Sequence, residues 1–171
     1  IGFTPTEEAI KNAFRQIIMN LLGGIAFLAA LYVMAIQFNT LSFLEFLQIG
    51  IANPGMVVLP VTALAFAGLT KAAQMPFHTW LLGAMVAPTP TSALLHSSTM
   101  VKAGVFLLIK LAPIMMACPV PSVMVILVGG LTFLFCSFMA ISQSNAKRVL
   151  AYSTIANLGL IVACAGVGTP E

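Results

Sequence analysis

Apolar residues dominate five stretches of this 171-residue chain, and short polar or proline-containing segments separate them. A helix needs about 20 consecutive apolar residues to cross the hydrocarbon core of a bilayer. The pattern therefore predicts five membrane spans, at about residues 17–36, 56–85, 92–111, 123–141 and 149–165. We accordingly expect an all-α, polytopic transmembrane helix bundle, with residues 1–171 forming a single transmembrane domain fragment.

The second apolar stretch is too long for one span and too short for two. It continues to about residue 87, and as one straight helix it would measure about 48 Å. Pro76 lies inside it, and a proline removes a backbone donor and clashes with the carbonyl four residues earlier. We predict one broken span with halves at about 56–73 and 76–85, after a turn at 53–55.

The remaining prolines and serines are interpreted as connections. Pro113, Pro119 and Pro121 predict the connection after the third span. A polar connection is expected before the turn at 53–55, because Asn39, Ser42, Glu45 and Gln48 occur there.

Composition supports the membrane interpretation. Hydrophobic residues make up 60% of the chain and charged residues 6%, whereas a soluble domain carries about 25% charged residues. The mean hydropathy is +1.08. The net charge of +3 comes from scattered basic residues, so no nucleic-acid surface is expected.

No cofactor or metal site is expected. The three cysteines stand far apart and form no C-x-x-C pair, and no phosphate-binding or nucleophile motif occurs. The chain starts at Ile1 rather than Met, and it ends shortly after an apolar stretch. We expect an internal fragment of a longer integral membrane protein.

Basic residues predict the orientation. With five spans, Lys11 and Arg15 fall on the same side as Lys147 and Arg148. Cytoplasmic loops carry an excess of lysine and arginine, so this side is predicted to face the cytoplasm. Lys110 falls at the opposite interface, where its side chain can reach water.

Lys71 is the first candidate for ion chemistry. A charged lysine at the centre of a bilayer costs about 2.5–3.5 kcal/mol on insertion scales. It lies five residues before Pro76, where a broken backbone can admit water and where transporters place ion sites. The alternative is a lysine near a helix end that extends to water.

Polar residues follow one face of the predicted third span. Ser92, His96, Thr99 and Lys102 follow one another at steps of four, three and three residues. At about 100° per residue they share roughly a third of the helix surface. Such a stripe can hold a water chain or pass protons from His96 to Lys102, since histidine titrates near neutral pH. A packing role for His96 alone stays open.

Four further residues are secondary polar candidates. His78 follows the expected break, and Lys147, Thr154 and Asn157 share one face of the fifth span. Packing or interfacial roles account for each of them equally well. A zinc site at His78 and His96 is disfavoured, because no carboxylate or cysteine lies nearby in sequence.

The sequence resembles a known family in two motifs. The first motif begins with KAAQMPFHTWL at 71–81 and continues through PTP at 88–90, SALLH at 92–96 and TMVKAG at 99–104. The second motif is NAKRVLAYST at 145–154. They are similar to the antiporter-like proton-translocating family. That family includes the large membrane-arm subunits of respiratory complex I, the large subunit of multisubunit Na+/H+ antiporters, and the ion-pumping subunits of energy-converting hydrogenases.

The resemblance implies a fold of about fourteen helices with two inverted repeats, of which this chain holds a part. It implies that Lys71 is the central lysine of the broken helix, that His96 is the histidine of the next helix, and that Lys102 is a bridging lysine. The glutamate that pairs with the central lysine would lie before Ile1. Glu45 does not replace it, and Asn157 departs from the usual glutamine or histidine.

We therefore expect a non-redox, proton-translocating subunit of a redox-driven oxidoreductase complex in a prokaryotic cytoplasmic membrane. Its expected partners are other membrane subunits, including further antiporter-like ones, and its ion is H+, with Na+ as the second candidate. The alternatives are a subunit of a multisubunit Na+/H+ antiporter without redox coupling, a structural scaffold and a carrier of small organic solutes. Lys102 at mid-membrane disfavours the scaffold, and the carrier lacks a binding constellation.

Overall fold

The computed structural model describes residues 6–97 and 99–168, and the side chains of all of these except 95–97. This part of the chain contains eight α-helices. They are α1 (Glu7–Gln37), α2 (Phe43–Ala52), α3 (Pro54–Lys71), α4 (Thr79–Gly83), α5 (Thr89–Ser97), α6 (Met100–Ala117), α7 (Pro119–Ile141) and α8 (Ala146–Val167), and a 3₁₀ turn, Ala84–Val86, follows α4.

Within the described residues, five helices are long and apolar enough to cross a membrane. They are α1, α3, α6, α7 and α8, so the prediction of about five spans in an all-α bundle is confirmed. α1 begins ten residues earlier than its apolar stretch, because Thr6 caps it by accepting a hydrogen bond from the Ala9 amide at 3.2 Å. Glu7 and Glu8 in its first turn stabilise the helix, because their negative charges lie at the positive end of the helix dipole.

The predicted break in the second span is confirmed. α3 ends at Lys71, and helical structure resumes only at Thr79. The first half is two residues shorter at its end than predicted, and α4 is a short helix of five residues.

Four prolines do not act as the sequence indicated. The expected turn at 53–55 is instead a helix start, because Pro54 occupies the first position of α3, where its missing N–H is not needed. Pro113 lies inside α6, which continues to Ala117, and Pro119 and Pro121 lie in the first turn of α7. The expected polar connection contains α2, whose ten residues are too short to give a membrane-span signal.

The prediction of one helix over 92–111 is wrong. α5 ends at Ser97 and α6 starts at Met100, with Thr99 outside helical geometry at φ −130° and ψ −65°. Ser97, Ser98 and Thr99 give the physical reason, because serine and threonine hydroxyls compete for backbone hydrogen bonds and favour helix ends.

Glycines bring the helices into backbone contact. A Cβ on Gly129 of α7 would lie 2.7 Å from the Gly159 carbonyl oxygen of α8, and α7 and α8 form the most extensive helix pair. A Cβ on Gly104 of α6 would lie 2.5 Å from the Gly68 carbonyl oxygen of α3. Small residues permit such close approach between membrane helices. The result is that α6 packs directly on the end of α3.

Candidate functional site

The end of α3 at Lys71 has the hydrogen bonds of a Schellman motif. The Gln74 amide donates to the Leu69 carbonyl at 3.1 Å, and the Ala73 amide donates to the Thr70 carbonyl at 3.3 Å. Ala73 has a φ of 52°, the left-handed conformation that this motif requires and that glycine usually supplies. The helix therefore ends before it reaches Pro76, and the following seven residues leave helical geometry.

Side chains satisfy the backbone groups that the break exposes. The Trp80 indole N–H donates to the Thr70 carbonyl at 3.1 Å, and the Gln74 amide nitrogen donates to the Ala72 carbonyl at 3.0 Å. The Met75 amide donates to the Thr132 hydroxyl of α7 at 3.0 Å. Non-helical backbone at membrane depth is tolerated only when buried in protein or facing water, and these contacts provide that burial.

Lys71 lies at the middle of the span. The preceding residue, Thr70, contacts Gly23 of α1, and Lys71 lines one cavity with Gly23 and Gly24. Gly23 is near the midpoint of α1, a helix of 31 residues or about 46 Å in length. Lys71 is therefore far from both ends of α1.

The cavity beside Lys71, here called the Lys71 groove, has a volume of about 470 Å³ and lies between α1, α3 and α6. Its walls are mostly apolar, and Lys71 and Thr99 supply the polar side chains. Within the described part of the chain, the Lys71 ammonium forms neither an ion pair nor a hydrogen bond. The groove is lined by Gly23, Gly24, Phe27, Ala67, Gly68, Lys71, Thr99, Met100, Ala103, Gly104 and Leu107.

The predicted stripe of polar residues is not continuous. Thr99 lines the Lys71 groove, but Ser92 is buried on the other side of the helix break and donates to the Ala87 carbonyl at 3.2 Å. Lys102 is exposed and does not line the groove. The His96 side chain lies outside the described residues. The structure thus brings Thr99 to Lys71 and leaves Ser92 and Lys102 apart from it.

The secondary candidates have different environments. His78 precedes α4 and is partly buried, and its Nδ1 has no hydrogen-bond partner in the described residues. Lys147 lines a separate cavity at one end of the bundle. The Thr154 hydroxyl donates to the Leu150 carbonyl of its own helix at 2.8 Å, and Asn157 is exposed.

Sequence reasoning missed Asn20 and Thr132 as parts of the site, and it noted Gln74 only as a member of the polar run between Lys71 and Lys102. Gln74 is fully buried, and its Oε1 faces Gly159, where a Cβ would lie 3.2 Å away. Gln74 follows Lys71 in the polar run around the break, which was the available signal. Thr132 is one of three hydroxyl residues in the apolar helix α7, with Ser122 and Ser137, and no sequence pattern distinguishes it from a packing residue.

Unpaired acceptors surround the break. Among described residues, Asn20 Oδ1 and Gln74 Oε1 are buried without a hydrogen-bond donor, as is His78 Nδ1. Asn20 lies one turn before Gly23 on α1. Buried polar atoms in proteins are nearly always paired with protein or water, and a bridging water needs two to four polar partners. Each of these three buried atoms is therefore a position where a water molecule could supply the missing hydrogen bond.

The all-helical bundle with five candidate spans and one broken helix defines the class as a polytopic membrane protein fold. The chain belongs to the family described as NADH:quinone oxidoreductase/Mrp antiporter, TM, whose family model matches residues 1–171. It is part of an integral membrane protein.

The similar proteins include both an oxidoreductase chain and an antiporter subunit. The chain is 40% identical over 164 residues to NADH-ubiquinone oxidoreductase chain 5 of Dugong dugon, covering 96% of this chain and 27% of the relative. It is 40% identical over 159 residues to putative antiporter subunit mnhA2 of Staphylococcus aureus, covering 92% and 20%. The chain thus spans about a quarter or less of the length of these relatives.

Solved structures share the fold. The Mrp complex from Dietzia sp. DQ12-45-1b contains a chain with a TM-score of 0.91 and 36% identity, covering 98% of this chain and 19% of that one. The membrane-bound sulfane sulfur reductase, an archaeal respiratory membrane complex, contains one with a TM-score of 0.83 and 24% identity, covering 96% and 34%. At that identity the second similarity supports the fold alone.

Proposed function

We propose that this chain is part of a proton-translocating, antiporter-like subunit of a redox-driven membrane complex, of the NADH:quinone oxidoreductase or energy-converting hydrogenase type. The observation that carries the proposal is Lys71, which ends α3 at mid-span and faces a groove without an ion-pair partner among the described residues. Such a lysine is costly unless its charge or its proton is used.

The proposed path runs along the break. A proton on the Lys71 ammonium would move through water held near Thr99 in the groove. His96 and Lys102 are proposed as later carriers. Lys102 lies on the exposed face of α6, so its exchange partner would be a residue or water outside the described part of the chain. Ser92 is proposed to hold the 3₁₀ turn through its bond to Ala87 rather than to carry protons.

An acidic partner for Lys71 is proposed to come from outside this chain segment. The Lys71 groove is mostly apolar and has glycines on three helices, α1, α3 and α6, against which another helix can pack closely. A carboxylate arriving there would stabilise the charged lysine, and its withdrawal would favour proton release.

The second candidate is a subunit of a multisubunit Na+/H+ antiporter without redox coupling. The 36% identity and TM-score of 0.91 to a chain of the Mrp complex favour it. In both cases the proposed partners are other membrane subunits, including further antiporter-like ones, and the proposed location is a prokaryotic cytoplasmic membrane.

Proton transport by the full-length protein in its complex tests the proposal. The complex is reconstituted into vesicles, and internal pH is followed with a dye, first with an electron donor and then with an imposed Na+ gradient. We expect donor-driven proton transport that falls at least tenfold in Lys71→Ala, with the complex still assembled. Proton transport driven only by the Na+ gradient would favour the second candidate.

Lys110→Ala is the matched control. Lys110 is an exposed lysine of α6 that lies 5.5 Å from the Phe106 ring centroid, outside the Lys71 groove. Proton transport should be unchanged in this variant. Wild-type proton transport in an assembled Lys71→Ala complex would refute the role of Lys71 in either mode.

A further inference from the structure

A second cavity, here called the basic cavity, lies at the end of the bundle where α1 and α8 begin. It has a volume of about 380 Å³. The start of α1, the segment from α4 through the 3₁₀ turn, and the start of α8 form its walls. It is separate from the Lys71 groove, and the path proposed above does not use it.

Positive charge dominates the basic cavity. Arg15, Lys147 and Arg148 line it, and Glu8 is the single acidic residue among its lining residues. Within the described residues, none of these four side chains forms an ion pair or a side-chain hydrogen bond. The cavity therefore presents an excess of unneutralised cations.

The start of α8 adds to this positive field. The first amides of a helix lack intrahelical partners and carry a partial positive charge. Asn145 accepts a hydrogen bond from the Lys147 amide at 3.0 Å, which leaves the neighbouring amides at 146 and 148 without a side-chain cap. Amides and basic side chains together favour an anionic group with several acceptor oxygens.

The rest of the lining is apolar. Leu82, Met85 and Val86 face the same cavity as the three basic residues. Arg15 lies just before the apolar stretch of α1, and Lys147 and Arg148 lie at the start of α8. The ends of apolar spans are where lipid headgroups are expected. A ligand that fits has an anionic head next to an apolar body.

We propose that the basic cavity binds the phosphate headgroup of an anionic phospholipid from the leaflet on this side of the membrane. Basic pockets between membrane helices are suited to such headgroups. Arg15 and Arg148 supply planar guanidinium groups, each of which can donate two parallel hydrogen bonds to phosphate oxygens, and Lys147 adds a third positive charge.

The bound lipid would support the broken helix. Thr79, Leu82 and Gly83 of α4 line the basic cavity, and Trp80 of the same short helix donates to the Thr70 carbonyl beside Lys71. A lipid that fills the cavity therefore holds α4 in place and, through Trp80, the end of α3.

Photo-cross-linking tests the binding directly. The full-length protein in its complex is incubated with phosphatidylglycerol that carries a diazirine next to the glycerol, and cross-linked peptides are mapped by mass spectrometry. We expect cross-links to residues 79–86 that fall at least fivefold in the Arg15→Gln/Arg148→Gln double variant. A phosphatidylcholine probe with the same diazirine should give less than a fifth of the wild-type signal.

Two comparisons keep the proposal open to refutation. Lys110→Gln removes a positive charge outside the cavity and should leave the cross-links unchanged. If the double variant does not assemble, Lys147→Gln alone should still lower the signal at least twofold. The proposal would be overturned if both lipids labelled the protein equally, or if the charge-removing variants were labelled as strongly as the wild type. It would also be overturned if inorganic phosphate at the lipid concentration removed the signal. Absence of any cross-link to 79–86 would overturn it as well and would mean that protein fills the basic cavity.

Discussion

At the scale of single residues, the backbone of the break depends on a small number of side-chain contacts. Thr132 accepts the Met75 amide, Trp80 donates to Thr70, and Gln74 donates to Ala72. The first two bonds satisfy backbone groups that a continuous helix would pair internally. The third satisfies the Ala72 carbonyl, which would lack a helical donor in any case, because Pro76 has no N–H. In a low-dielectric interior these bonds matter because the alternative is an unpaired buried group.

Thr132→Val removes the acceptor of the Met75 amide at almost unchanged volume. Thr132 is fully buried, so we expect the unpaired amide to cost about 1–3 kcal/mol of stability. Thermal unfolding of the full-length protein in detergent should show a lower midpoint.

Thr154→Val is the matched control for that measurement. The Thr154 hydroxyl donates only to the Leu150 carbonyl of its own helix. That carbonyl keeps its backbone hydrogen bond within α8 when the hydroxyl is removed. An equal loss of stability in both variants would show that the Thr132 contact has no special role at the break.

At the scale of elements, the break is a helix end held by a second helix. The Schellman motif at Ala73 ends α3, and Gly104 allows α6 to lie against the residues that follow. A Cβ at Gly104 would lie 2.6 Å from the Ala72 amide nitrogen and 2.9 Å from the Lys71 Cβ. The position of Lys71 is therefore fixed by packing between α3 and α6.

Gly104→Ala should displace α6 from the break. Overpacking in a tightly packed interior costs about 1–3 kcal/mol, and the shift would move Thr99 and Lys71 apart. We expect a lower unfolding midpoint and at least a fivefold loss of proton transport by the reconstituted complex.

Gly130→Ala shows whether that loss is specific. A Cβ at Gly130 of α7 meets nothing within 4 Å, so stability and transport should be retained in this variant. Normal transport by Gly104→Ala would mean that the contact between α3 and α6 does not position the site.

The sequence predicted the elements unevenly, for physical reasons. Pro76 marked the break because proline removes a donor, but the helix ends earlier, at a left-handed Ala73 that no residue preference would indicate. The division between α5 and α6 had only the polar run at 97–99 as a signal. Pro113 was misread because a membrane helix can continue past a proline.

At the scale of the whole molecule, four of the seven basic residues gather at one end. Arg15, Lys147 and Arg148 line one cavity, and Lys11 lies one helical turn before Arg15 on α1. The opposite end carries the connection between α1 and α2, where Thr40 donates a hydrogen bond to Glu45 in the first turn of α2. This charge distribution predicts that the basic end faces the cytoplasm.

Cysteine labelling of the full-length protein checks the orientation. In sealed vesicles of known sidedness, Ser144→Cys should react with a membrane-impermeant maleimide from the cytoplasmic side only. Ser42→Cys should react from the other side, since both positions are exposed and lie in opposite connections. The unsubstituted protein gives the background from its own cysteines, and labelling of both positions from one side would contradict the five-span topology.

The candidate site was predictable where a single residue violates the surrounding pattern. Lys71 stood out because a charge in an apolar span is costly. The structure places it at the end of α3 beside the Lys71 groove, and its role stays a prediction. The alignment of Ser92 with Lys102 was not predictable, because it assumed one continuous helix. Thr132 acts through a contact with Met75, 57 residues away, which local sequence does not encode, and Gln74 bonds to the Ala72 carbonyl within the break itself.

The most direct test of the account is whether an amine at position 71 carries the proton. In Lys71→Cys, proton transport by the reconstituted complex should fall at least tenfold. Aminoethylation of that cysteine restores an ammonium at nearly the length of lysine, and we expect transport to recover to at least a third of the wild-type rate. The wild-type complex treated in the same way controls for reaction at Cys164, which is exposed. Complete aminoethylation at position 71, verified by mass spectrometry, without recovery of transport would contradict the central claim.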